Sequence, residues 1–85
     1  MRTVVLTAEG ADPPVRRLDN QLLAGQARAA ILRAIFEGRF ESKLPNEDRL
    51  AEMLNVSRTT VRTALQGLER DGLVTRRRAI GTLIN

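Results

Sequence analysis

The chain has 85 residues, a formal net charge of +4, no cysteine and no histidine, and this length predicts one domain. The missing residue types exclude a disulfide scaffold, an ordinary zinc site, and catalysis by cysteine or histidine. With 42 % apolar residues and only two aromatic rings, the core must consist of Leu, Ile, Val and Ala. We expect small helices with one thin sheet at most, no enzymatic activity, no metal and no cofactor.

The positive charge is compatible with a nucleic-acid partner, although many small domains that bind none carry as much. Thirteen of the fourteen cations are arginine, whose guanidinium binds phosphates and guanine edges through paired hydrogen bonds. A GC-rich genome would explain the same bias equally well. No apolar run approaches the roughly 20 residues that span a bilayer. We therefore expect a bacterial cytoplasmic protein that binds no membrane.

Residues 1–19 are expected to form a flexible N-terminal arm, as chain termini often do. Three residues interrupt any helical period in this segment: Gly10, Pro13 and Pro14. Arg16 and Arg17 could contact a phosphate backbone, but a mobile leader without a partner explains the same composition.

A first helix is expected to begin near Asp19 or Asn20, either of which can cap it, and to end before Gly38. Its apolar residues recur with the spacing of a one-faced helix: Leu23, Ala27, Ala30, Ile31, Ala34 and Ile35. Because that stripe needs other helices to cover it, this helix is predicted to be a scaffold. The connector that follows is expected to insert Phe40 and Leu44 into the core.

Two short helices joined by a tight turn are predicted over residues 47–68. Asn46 and Ser57 can cap them, and Asn55 tolerates the left-handed backbone of a sharp turn. The angle between two such helices needs small or apolar residues at fixed positions, and the chain supplies them: Leu50, Ala51, Leu54, Val56, Val61 and Ala64. The pattern indicates a helix-turn-helix, although a helical hairpin without a nucleic-acid role would satisfy it too.

The second of these helices, about residues 57–71, carries polar and cationic side chains outward. They are Arg58, Thr59, Arg62, Thr63 and Gln66. Arginine suits guanine edges or phosphates, glutamine suits adenine or a phosphate, and threonine suits phosphate oxygens or a thymine methyl group. The N-terminal half of such a helix enters the major groove. Each side chain alone could be an ordinary solvated residue, but the set favours DNA contact.

A β-hairpin, or wing, is predicted over residues 73–85, with its loop at residues 79–81. Its first strand carries three consecutive cations: Arg76, Arg77 and Arg78. Alternation places the first and third on one face and the second on the other. Arginines can simply protect an edge strand from pairing, but beside a helix-turn-helix they favour contact with phosphates or the minor groove. The expected fold is mainly α with a small β-hairpin: a winged helix-turn-helix of three helices plus a wing.

Several short motifs follow one another between residues 44 and 84. They are Leu44-Pro45-x-Glu47, Leu50-Ala51, Val56-Ser57-Arg58-Thr59-Thr60-Val61-Arg62, Ala64-Leu65, Leu68-Glu69, Asp71-Gly72-Leu73-Val74 and Gly81-Thr82. With these motifs the chain resembles the N-terminal winged-helix domain of the GntR family of bacterial transcription regulators, in particular FadR-like and HutC-like members. The resemblance covers about residues 21–85.

The resemblance implies that the residues matching Arg58, Thr59, Thr60 and Arg62 contact DNA. It also implies that the wing tip enters the minor groove, through Arg78, Ala79 and Ile80. Members of the family bind palindromic operators as homodimers, and a larger C-terminal domain binds a small-molecule effector. We expect that domain to be absent from this chain, which leaves an arm over residues 1–19 and a DNA-binding domain over residues 20–85.

Three departures from the family pattern stand out. Asp48 occupies a position where the family usually has an arginine that contacts DNA, and Arg49 is the candidate replacement. The linker over residues 38–44 is about two residues shorter than usual, and Ala79 stands where the wing tip usually has glycine.

The predicted function is sequence-specific binding of double-stranded DNA by a bacterial transcription regulator, a repressor in our interpretation. The helix over residues 57–71 would occupy the major groove, and the wing over residues 73–85 the minor groove. The alternative is a winged helix that serves protein–protein contact without binding DNA.

Overall fold

The computed structural model describes the backbone of residues 8–85 and the side chains of residues 21–85. It has three helices and one hairpin: α1 (Ala8–Phe36), α2 (Glu47–Leu54), α3 (Arg58–Arg70), β1 (Val74–Arg77) and β2 (Gly81–Ile84). The predicted winged helix-turn-helix fold, mainly α with a small hairpin, is confirmed. Within the described part of the chain, no helix is both long and apolar enough to cross a membrane.

The first helix begins at Ala8, so the start predicted near Asp19 or Asn20 is wrong. The prediction stopped at Pro13 and Pro14 because proline lacks the amide donor of a helical hydrogen bond and crowds the preceding turn. The surrounding residues are mostly Ala, Glu, Arg and Leu, which are good helix formers, and the helix continues through both prolines. The side chains of Arg16 and Arg17, for which phosphate contact was one of two possibilities, lie outside the described residues, and the flexibility of the arm stays a prediction.

The first helix ends where the sequence predicts. Gly38 has φ of +76°, and its amide donates to the carbonyl of Ile35 at 3.0 Å, which closes the last turn. The face that α1 buries is centred on Ala24, Ala27 and Ile31. Leu23, which was predicted to belong to the buried stripe, is 42 % exposed, and its neighbour Ala24 is buried instead.

The helix-turn-helix forms as predicted. The Asn46 side chain accepts from the amide of Arg49 at 2.8 Å and caps α2. Asn55 follows α2 in the left-handed conformation, with φ 57° and ψ 47°. Ser57 accepts from the amide of Thr60 at 3.1 Å and caps α3. The core between the helices and the wing is formed by Ala27, Ile31, Leu44, Leu50, Val61, Ala64, Leu65, Leu68 and Val74.

The hairpin pairs Val74 with Ile84 at one end and Arg77 with Gly81 at the other. The loop therefore covers residues 78–80, one residue earlier than predicted, because Gly81 opens β2 with φ of +117°. Arg78 lies in the turn, so the strand alternation predicted for it does not extend that far. Ala79 takes the left-handed conformation in this turn, with φ of +68°.

The connector between α1 and α2 also pairs with the wing, which the sequence analysis did not predict. The amide of Leu44 donates to the carbonyl of Thr82 at 2.9 Å, and the amide of Ile84 donates to the carbonyl of Ser42 at 2.8 Å. The base of the wing is therefore held by a third segment of backbone, so the direction of the hairpin is tied to the start of α2.

Candidate nucleic-acid interface

The outward face of α3 carries the side chains that the sequence placed there. Exposed residues of this face are Arg58, Thr59, Arg62, Thr63 and Gln66. Val61, Ala64, Leu65 and Leu68 lie on the opposite, buried face. The separation follows from the helical period, since the apolar stripe that packs against α1 and α2 turns the polar stripe to solvent.

Thr60 does not share that exposure. It is 7 % exposed, its Oγ1 lies 3.0 Å from the Oγ of Ser57, and its amide is the donor in the cap of α3. The side chain of Thr60 therefore supports the cap of α3, and its assignment as a DNA contact stays a prediction.

The two arginines of the outward face pair with the first turn of α2. Nη1 of Arg58 lies 3.2 Å from Oδ1 of Asp48, and Nη2 of Arg62 lies 3.1 Å from Oε1 of Glu47. The sequence analysis noted Asp48 only as a departure from the arginine that the family usually has at this position. It missed both pairs, because they depend on how closely α3 crosses the first turn of α2.

Arg49 is turned to a different partner. Its Nη1 lies 3.3 Å from Oε1 of Glu52, one turn further along α2, and its side chain is 64 % exposed. It is not among the residues that border the depression between α2 and α3, which are Asn46, Glu47, Asp48 and Arg58. The structure thus places Arg49 beside the predicted site rather than in the position of Asp48.

In the wing, Arg76 is bound to α3. Its backbone amide donates to Oε2 of Glu69 at 3.3 Å, and its Nε donates to Oε1 at 3.0 Å. These two hydrogen bonds hold the pKa of the Glu69 carboxyl below its usual value, and the bond from the backbone amide has the larger effect. Desolvation of the carboxyl acts in the opposite direction. Arg76 therefore joins β1 to α3, and its guanidinium is already engaged.

The remaining cations of the wing face solvent. Arg77, Arg78, Ala79 and Ile80 are exposed at the tip, and neither arginine pairs with a carboxylate among residues 21–85. Arg77, Arg78 and Ile80 border, together with Lys43, an open groove of about 490 Å³ between the wing and the start of α2. Lys43 was not predicted as a site residue. No local signal marks it, since it reaches the groove only because the connector pairs with β2.

The start of α2 joins the two parts of the surface. Asn46 and Glu47 border both the groove beside the wing and the depression beside Arg58. One side of the molecule therefore presents the N-terminal turn of α3 and the arginines of the wing together. Thr63 lies at the margin of this side, where it lines a shallow groove between α1 and α3.

Within the described residues, no group of three or more Asp or Glu side chains is placed to hold a metal ion. Each acidic residue of this surface instead forms an ion pair with one arginine: Glu47 with Arg62, Asp48 with Arg58, and Glu69 with Arg76. The surface offers hydrogen-bond donors and positive charge, which suit a polyanion.

The family model described as "Bacterial regulatory proteins, gntR family" matches residues 23–84. The chain belongs to this family. The match covers α2, α3, the wing and α1 from residue 23 onward, so the resemblance inferred from the short motifs is confirmed.

Relatives of this GntR-family chain include known regulators. The HTH-type transcriptional regulator GgaR of Escherichia coli (strain K12) is 55 % identical over 42 residues, covering 49 % of this chain and 17 % of GgaR. The Fatty acid metabolism regulator protein of Vibrio cholerae serotype O1 (strain M66-2) is 44 % identical over 64 residues, covering 73 % of this chain and 23 % of that protein. The chain spans less than a quarter of the length of either relative.

The chain is also similar in fold to solved structures. AraR(DBD) in complex with operator ORX1 matches with a TM-score of 0.69 and 29 % identity, over 74 % of this chain and 78 % of that one. Streptococcus agalactiae GntR matches with a TM-score of 0.66 and 36 % identity, over 73 % of this chain and 31 % of that one. The GntR-family chain thus carries the winged helix-turn-helix of a family of bacterial regulatory proteins.

Proposed function

We propose that this GntR-family domain binds a specific double-stranded DNA sequence, with the N-terminal half of α3 in the major groove and the wing at the minor groove. The observation that carries the proposal is the shared border at Asn46 and Glu47, which puts both sets of arginines on one side. A duplex presents its two grooves side by side, so one protein surface must address both.

The proposed contacts divide by position. On α3 they are Arg58, Thr59, Arg62 and Gln66, and on the wing they are Arg77, Arg78, Ala79 and Ile80. Arg49 and Thr63 lie at the margin, where phosphate contacts fit better than base contacts. Arg76 contributes by holding the wing against α3 through Glu69.

The intact protein is proposed to be a homodimeric repressor of the bacterial cytoplasm that binds a palindromic operator. Its small-molecule effector would bind to a further domain outside this chain. The names of the relatives, which are transcription regulators, support this assignment. No enzymatic step is part of the proposal, because the surface holds carboxylates only in pairs with arginine.

The test begins with selection of a preferred duplex from a random pool of double-stranded DNA by the whole chain. Arg58→Ala and Arg62→Ala are each expected to weaken binding to the selected duplex by more than about fivefold, the low end of what a bidentate base contact contributes. Arg70→Ala is the matched control, since it removes an exposed arginine of the same helix that lies about 18 Å along the axis from Arg58. Fluorescence anisotropy measures all four affinities.

The same titration separates DNA binding from a protein–protein module. Phosphate contacts release counterions, so the affinity for DNA should fall steeply as salt rises. Arginine variants that keep wild-type affinity while Arg70→Ala loses it would contradict the proposed site, and wild-type protein that selects no duplex would contradict the function.

A further inference from the structure

The first turn of α2 supplies the two carboxylates that hold the outward arginines of α3. Arg58 and Asp48 are ten positions apart in the chain, and the tight turn brings Nη1 within 3.2 Å of Oδ1. The side chains of this pair are 65 % and 71 % exposed. An ion pair this exposed adds little to folding stability, so the energy of the fold does not explain it.

A carboxylate at this place opposes DNA binding in general. Any duplex brings a high density of phosphate charge to the surface, and Asp48 repels it irrespective of base sequence. The same carboxylate reduces the attraction of Arg58 to phosphates, because it balances the positive charge of the guanidinium at short range. Asp48 therefore lowers the affinity for every duplex by a similar factor.

The pair with Asp48 restricts the orientation of the Arg58 guanidinium. A free arginine side chain samples many rotamers, and a bound one must give most of them up. Asp48 accepts through Oδ1 from one nitrogen of Arg58, and a guanidinium has five N–H donors. Donors therefore remain for the O6 and N7 atoms of a guanine, which require two parallel hydrogen bonds in a fixed plane.

We propose that Asp48 is a positioning residue that holds Arg58 for base recognition, so that discrimination of a G·C pair in the bound DNA depends on Asp48. The inference rests on the proposed function, since it concerns the sequence preference of the same surface. The Glu47–Arg62 pair at 3.1 Å supports it independently, because a second carboxylate of the same turn holds the arginine one turn further along α3.

The chain contains a matched control. Asp71 pairs with Arg28 at 3.3 Å, with side chains 54 % and 48 % exposed. Asp71→Asn therefore changes the net charge and breaks an exposed Asp–Arg pair as Asp48→Asn does. It does so at the C-terminal end of α3, roughly 20 Å along the helix from Arg58.

The experiment uses the whole chain, the duplex selected by the wild type, and a series of duplexes with one base pair changed at a time. Circular dichroism first establishes that each variant is folded. Asp48→Asn is expected to bind mismatched duplexes several-fold more tightly while losing about tenfold of its discrimination at one G·C pair. Arg58→Ala should lose discrimination at the same pair, and Asp71→Asn should keep it.

The double variant distinguishes positioning from direct contact. In the Arg58→Ala background, Asp48→Asn should leave the discrimination at that pair unchanged, because Asp48 acts through Arg58. Equal tightening on all duplexes by Asp48→Asn would overturn the inference alone and leave Asp48 as a repulsive charge. A further loss of discrimination in the double variant would also overturn it, by making Asp48 a direct contact. A wild-type chain without any base preference would overturn the proposed function and this inference together.

Discussion

At the scale of single residues, the turn of the wing depends on backbone conformations that favour glycine. Gly81 has φ of +117°, and a Cβ added there would lie 2.7 Å from Cε of Lys43. Gly25 is the opposite case, since it lies inside α1 and an added Cβ would meet nothing within 4 Å. The two glycines therefore offer the same substitution in contrasting environments.

We expect Gly81→Ala to lower the free energy of unfolding by about 1–3 kcal/mol, because the strained backbone is costly for an L residue and Lys43 must move. Gly25→Ala should raise it by up to about 1 kcal/mol, since alanine is the better helix former. Urea unfolding of both variants measures the difference. Changes of the same sign in the two variants would contradict this account of Gly81.

Some single-residue features could be predicted from the sequence because they are local. Each of these features depends on residues within three or four positions, so the sequence predicts it: the helix caps at Asn46 and Ser57, and the left-handed conformation of Asn55. The Asp48–Arg58 pair depends on where α3 crosses α2, so the sequence contained both residues without indicating their contact. The burial of Thr60 was likewise not predicted, because it depends on the packing of the first turn of α3.

At the scale of elements, Glu69 and Arg76 join α3 to the wing. The pKa of Glu69 is lowered in the folded chain by its two hydrogen bonds from Arg76. A lowered carboxyl pKa contributes stability that is present above the unfolded pKa, about 4.3 for glutamate. That stability is lost as the pH falls through the lower folded pKa.

Glu69→Gln is therefore expected to be less stable than the wild type at pH 7, and the difference should shrink as the pH is lowered from about 5 to about 3. Urea midpoints measured across this range test it. Arg76→Gln supplies the second arm of a double-mutant cycle. A stability difference that stays constant with pH would mean that the carboxyl titrates alike in the folded and unfolded chains.

The boundaries of the elements were predictable where one residue decides them. Gly38 ends α1 because a left-handed stop suits glycine. The start of α1 was missed because the two prolines are strong local signals, while the tendency of the residues around them to continue a helix is weak and distributed. The hairpin was found, but its loop was misplaced by one residue, since both Ala79 and Gly81 take positive φ and only one of them is a glycine.

At the scale of the whole molecule, the proposed DNA-binding surface combines the first turn of α2, the N-terminal half of α3, the wing and, through Lys43, the connector. The sequence identified the second and third from their arginines. The contribution of the connector, through Lys43 and the pairing of residues 42–44 with β2, could not be predicted, because pairing between distant backbone segments leaves no periodic signal in either of them.

The last prediction concerns the number of chains on DNA. Among the described residues, Leu22 and Phe36 are the most exposed large apolar side chains, at 65 % and 78 %, and they lie about 21 Å apart along α1. They do not form one patch, so we expect the chain to sediment as a monomer at micromolar concentration. A single winged helix then binds one half of a palindrome, and no second linked domain raises its affinity.

Linking two copies of the chain through a flexible Gly/Ser linker should raise the affinity for a duplex that carries both halves of the palindrome. The second copy then binds at an effective concentration near millimolar, and the affinity for a duplex with two inverted selected sites should rise by about 10²-fold over the single chain. A duplex in which one site is scrambled is the control, and on it the linked protein should gain no more than about twofold, from its second binding domain. A stable dimer of the unlinked chain by sedimentation would contradict the expectation and would direct attention to Leu22 and its neighbours on α1 as the interface.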